Sequence, residues 1–92
     1  MATRESEVIY ANNVNVTNVT GYVKGLGTAL EFYLGVCTTW DGVYTWEKVI
    51  DVGVQVSEVT NTFTHTMTAV GKFLKWKGVG TSYQLNEINI QI

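Results

Sequence analysis

Few side chains in this sequence could do covalent chemistry, and none has partners at a telling spacing. His65 is the lone histidine and Cys37 the lone cysteine. Zinc sites and nucleophilic thiols need further His, Cys or carboxylate groups near by. No CxxC or histidine flanks Cys37, and His65 sits between Phe63 and Met67 on the apolar side of its run. His65 is therefore expected to be a half-buried, hydrogen-bonded residue. Asp41 and Asp51 lack the dense carboxylate run of a calcium loop. The eight acids form no paired acid–base arrangement, so an enzyme is not expected, nor any cofactor or metal.

Side chains suited to binding are more plentiful. In "TTWDGVYTWEKV", residues 38–49, Trp40 precedes an Asp41-Gly42 turn and Trp46 follows it. An exposed indole can stack on a sugar ring or anchor a protein interface. Trp40 is expected to face outward and Trp46, inside a strand, to fill the core. Tyr33 and Glu31 alternate with Leu30, Phe32 and Leu34, an outward ring-and-carboxylate pair. Tyr44 and Tyr83 add aromatic surface, and Lys75 adds a cation on a strand it shares with Lys77 and Phe73. The candidate binding or interface set is thus Trp40, Tyr33, Glu31, Tyr44, Tyr83 and Lys75.

The elements that must position these residues are strands. Val and Thr dominate, 12% of residues are aromatic, and proline is absent, so turns fall to Gly, Asn, Asp and Ser. Period-two alternation runs through Val14–Val16, Leu30–Val36, Val52–Val56, Phe63–Met67, Leu74–Trp76 and Ile88–Ile92. Breaks are expected at Asn12-Asn13, Gly25-Leu26-Gly27, Asp41-Gly42, Thr60-Asn61, Val70-Gly71 and Gly78 to Ser82. The pattern predicts an all-β chain, a compact antiparallel β-sandwich of jelly-roll type with about seven short strands. Residues 1–7 read as a flexible polar arm and 8–92 as a single sandwich domain.

The succession Asp41-Gly42, Trp46, Phe63, Gly71-Lys72-Phe73-Leu74-Lys75 and Glu87-Ile88 resembles the galactose-binding-like jelly rolls, the group of discoidin domains and many carbohydrate-binding modules. The resemblance spans residues 28–92. It implies a core role for Trp46 and, for the exposed aromatics, sugar binding. Two features depart from it: the family's members are longer, and its penultimate strand usually carries Arg where this chain has Lys75. In overall character the chain also resembles the small all-β decoration and fibre proteins of bacteriophage particles, which often trimerise and clamp capsid subunits.

Charge narrows the classes further. Net charge is −2 and the basic residues are dispersed, which disfavours nucleic acid and anionic membrane as partners. With one cysteine there is no intrachain disulfide, so a chain this small gains from self-association. Only 15% of residues are charged, low for a free monomer's surface. The N-terminal stretch has no apolar signal segment. The expectation is a structural assembly protein of a virion, made in the host cytoplasm and not exported by a signal peptide. Its expected partners are neighbouring virion or capsid proteins and itself, as a homo-oligomer such as a trimer. The alternative is a carbohydrate-binding module using exposed aromatics.

Overall fold

One strand organises the fold. In the computed structural model, which describes residues 3–92, β3 runs for 20 residues from Asn18 to Cys37. It pairs antiparallel along nearly its whole length with β6, Phe73–Gln91, from Thr20↔Gln91 to Cys37↔Phe73. The opposite edge of β3 is shared. β4 (Thr45–Val52) covers its C-terminal half and β5 (Gln55–Thr66) its N-terminal half. Two short strands, β1 (Thr3–Glu5) and β2 (Tyr10–Ala11), line the far edge of β6 opposite Lys77–Val79 and Phe73–Leu74. Together they make one six-stranded antiparallel sheet.

This sheet is bent so that its halves face each other. Both ends of β3 are tied to the 67–72 loop: Met67 N–H donates to Thr17 O at 2.7 Å, Val16 N–H to Gly71 O at 2.8 Å, and Lys72 N–H to Cys37 O at 3.0 Å. Across the gap the rings of Phe32 and Phe63 lie 6.2 Å apart, and within its own half Phe32 stacks on Trp76 at 5.6 Å. The corner lies where Gly27, with φ of 149°, faces Ser82, with φ of 51°, and their neighbours. A Cβ at Gly27 would stand 2.2 Å from Ser82 O, so glycine is required there twice over.

The corner also switches which residues point inward. Before it, odd positions of β3 are buried (Val19, Val23); after it, even positions are (Leu30, Phe32, Leu34, Val36). Each fully buried aliphatic or aromatic side chain contributes at most ~1.5–3 kcal/mol of transfer free energy. Phe32, Leu30, Leu34 and Leu74 are the largest residues with no exposed surface.

Sequence patterning anticipated the all-β class but not this layout. Among the described residues the strands number six, close to the expected seven or so, but two of them, of 20 and 19 residues, are long. Gly25-Leu26-Gly27 and Gly78 to Ser82 bend strands that continue through them, and Thr60-Asn61 lies inside β5. The polar arm is in large part a docked strand, since Thr3–Glu5 pairs with β6 and Ser6 N–H donates to Trp76 O. Met1 and Ala2 lie outside the described residues. Val54 and Val56, expected to alternate into the core, are 68% and 87% exposed because they stand where β4 passes into β5.

Candidate interaction face

A single extra residue builds the most distinctive surface. Phe32 pairs with Ile50, but the next residue, Tyr33, pairs with Lys48, so Val49 bulges out of the β3–β4 ladder. The bulge reverses the parity of β4. Ile50 points into the core, while Lys48 and Trp46 join Tyr33 and Gly35 on the outer face. Trp46 is therefore half-buried on the outside, not a core residue. Its indole lies flat on Gly35, where a Cβ would come within 2.6 Å of the ring.

Lysines of β6 complete the array. Lys77 is paired with Tyr33, and its Nζ lies 4.4 Å from the Trp46 ring centre and 4.9 Å from that of Tyr33. Lys75 Nζ sits 4.7 Å over Tyr44 and 3.4 Å from the Glu5 carboxylate. Such cation–ring contacts contribute ~0.5–1 kcal/mol at exposed sites. Tyr33 donates its hydroxyl proton to Glu31 Oε1 at 2.6 Å, and that bond raises the tyrosine's pKa. Lys48 spans Asp51 at 3.2 Å and Glu31 at 3.5 Å; its bond to Asp51 chiefly raises its own pKa.

The predicted site residues are thus partly gathered and partly dispersed. Glu31, Tyr33, Tyr44 and Lys75 lie in or beside this array, joined by Trp46, Lys77 and Lys48. Trp40 is separate, 65% exposed on the turn after β3, where its carbonyl accepts the Tyr44 hydroxyl at 2.9 Å. Tyr44 is only 7% exposed, so it braces the turn rather than offering a free ring, and burial raises its pKa. Tyr83 is not a surface residue at all. At 2% exposed, it packs in the core opposite Gly27 and donates its hydroxyl to Gln55. Its inward aim follows from the corner, beyond which odd residues turn inside.

The other half of the sheet shows a different outer face. Thr60, Thr62, Thr64 and Thr66 of β5 stand beside Lys24, Tyr22, Thr20 and Asn18 of β3, which stand beside Glu87, Asn89 and Gln91 of β6. Thr66 Oγ1 donates to Asn18 Oδ1 at 3.1 Å, and Tyr22 donates its hydroxyl to Glu87. The surface is a field of hydroxyls and carboxamides in which Lys24 and Glu87, 3.9 Å apart, are the charged pair.

One polar cluster was legible only at its histidine, His65, which is half-buried and hydrogen-bonded as expected. Glu47, turned inward by the Val49 bulge, is 15% exposed and bridges the two halves. Its carboxylate accepts from Ala69 N–H at 2.7 Å, from Thr68 N–H at 3.1 Å, from the Thr68 hydroxyl at 2.9 Å, and lies 2.8 Å from His65 Nε2. Burial pushes the carboxyl's pKa up. The bonds from Ala69, His65 and Thr68 outweigh that and hold it at about 2. Nothing in the local pattern marks this pair, since Glu47 and His65 meet only because the sheet bends.

Among the described residues no three His, Cys, Asp or Glu side chains gather as a metal site. Cys37 is 8% exposed, and its thiol lies 3.7 Å from the Thr39 hydroxyl. No family model matches the chain, and neither a curated protein nor a solved structure matches it.

Proposed function

We propose that this chain is a non-enzymatic assembly protein acting through protein–protein contacts, as a virion decoration or fibre component does. The observation that carries the reading is the outer face of β5, β3 and β6, an extended sheet of threonine, asparagine and glutamine with the single Lys24–Glu87 ion pair. Such a surface forms wet, hydrogen-bonded contacts without desolvating many charges. The exposed valines 54, 56 and 59 at and beside β5 add apolar surface near it. Particles purified on a density gradient from cells making tagged chain and the virus of its source supply the test. Co-sedimentation of the chain in fixed ratio to the shell protein is expected; a chain left wholly at the top of the gradient refutes the reading.

A second reading, carbohydrate binding, is favoured by one feature: the exposed Trp40 ring beside Asp41, Lys75 and Glu7, around a surface hollow of about 380 Å³. Against it, the Tyr33 and Trp46 rings are capped by Lys77, and Tyr83 is buried, so no row of open rings exists for a sugar chain. Titration with a panel of mono- and oligosaccharides, read by tryptophan fluorescence, separates the two. A saturable shift abolished by Trp40→Ala would establish sugar binding.

A further inference from the structure

The bent sheet does not close on one side. Between β2 and the end of β6 runs a groove of about 330 Å³ lined by Ile9, Tyr10, Trp76, Ile88, Ile90 and Ile92. Ile9 and Ile92 are 42% and 51% exposed. The strand edge along this groove is also open. β1 and β2 pair with β6 only from Phe73 to Val79, and among the described residues nothing pairs with that edge from Tyr83 to Gln91. An uncovered strand edge next to an apolar groove is where an added strand gains both backbone hydrogen bonds and side-chain burial.

The edge itself indicates its occupant. β6 bulges at Asn86, because Lys24 pairs with Glu87 while Gly25 pairs with Leu85. The regular stretch beyond is Glu87–Gln91, and its midpoint is Asn89. In an antiparallel pair, opposed residues point to the same face. With Asn89 opposite the second copy's Asn89, Ile88 meets Ile90 on the inner face and Glu87 meets Gln91 on the outer one. Apolar side chains meet apolar ones, polar meet polar, and no like charges are opposed. The rival edge, β5, carries Val56, Glu58 and Val59, whereas the isoleucine groove lies beside β6.

We propose that two copies of this chain join by antiparallel pairing of Glu87–Gln91 about a two-fold axis at Asn89, extending the sheet and covering the isoleucine groove. This rests on the reading of the chain as an assembly protein, and names one of its contacts. Sedimentation equilibrium of the full chain is expected to show a dimer. Asn89→Lys opposes two lysines at the axis without touching the core and is expected to weaken dimerisation at least ~10-fold. Asn89→Asp, which opposes two carboxylates, should do the same, and circular dichroism checks that both variants fold. Hydrogen exchange should show concentration-dependent protection within Glu87–Gln91. A monomer at about 100 µM, which bounds any dimer to weak affinity, overturns the proposal. So does a dimer indifferent to both Asn89 changes, or one whose protection falls on Gln55–Thr66. A monomer that still co-sediments with particles sinks the self-pairing alone; a dimer absent from particles sinks the assembly reading alone.

Discussion

Removing the Glu47 carboxylate should uncouple the two halves of the sheet, and the size of the effect follows from its surroundings. Glu47 accepts hydrogen bonds from the loop after β5 and from His65, and its pKa falls from 4.5 to about 2. At 1.36 kcal/mol per unit, that shift corresponds to about 3 kcal/mol of stabilisation held by the ionised form. A carboxyl whose folded pKa lies below its unfolded one contributes fully above the unfolded value and loses the contribution as pH falls. The window is therefore from about pH 4.5 down to about pH 2. Glu47→Gln keeps the shape but sets an NH2 group among donors, one of which is left without an acceptor. It should cost about 2–3 kcal/mol near neutrality, a drop of roughly 10–20 °C in Tm for a domain of this size. Urea denaturation of both proteins between neutrality and pH 2 is the assay. Other carboxylates titrate in both proteins, so the difference between the curves isolates Glu47. The difference should be largest above pH 5 and vanish near pH 2. A difference below about 0.5 kcal/mol, the range of an ordinary surface change, or one that does not vary with pH, would refute the clamp.

Three further substitutions test the placement of the aromatics. Phe32→Ala should cost about 3–5 kcal/mol, because Phe32 has no exposed surface, whereas Trp46→Ala on the outer face should cost about 1–2 kcal/mol. Equal costs in thermal melts would return Trp46 to the core. Gly35→Ala inserts a methyl group within 2.6 Å of the Trp46 indole and should displace the ring at a cost of about 1–2 kcal/mol. Near-ultraviolet circular dichroism should change with it; an unaltered aromatic spectrum would contradict the stacked geometry.

What the sequence discloses and what it hides divide along a physical line. Alternation identifies Leu30, Phe32, Leu34 and Val36 as one inward row, and Tyr33 with Glu31 as outward, because that stretch of β3 is regular. Phe63, His65 and Met67 are read on the inward side for the same reason. Alternation fails wherever the ladder slips. From the sequence, Trp46, Lys48 and Ile50 share a parity and so a face; the Val49 bulge separates them. The Asn86 bulge likewise lets odd-numbered Tyr83 and Leu85 share the inner side with even-numbered Ile88 and Ile90. Glycines were visible as interruptions, but a glycine that ends a strand and one that bends it look alike in one dimension. Of the candidate residues, Trp40, Tyr33 and Glu31 carry their exposure in the local pattern. Tyr44 and Tyr83 do not, since their burial depends on a turn and a corner formed with distant segments.

The central place of β3 bears on how this molecule is made. During synthesis β3, β4 and β5 emerge in succession and can zip into a hairpin-like ribbon, since β4 and β5 both pair with β3. The remaining side of β3 stays bare until β6 leaves the ribosome, and β1, though made earlier, pairs with no other described strand before then. Closure thus joins Thr3–Glu5 to Lys77–Val79, a long-range pairing slowed by its loop entropy. Until β6 pairs, the apolar underside of the ribbon is open to other chains.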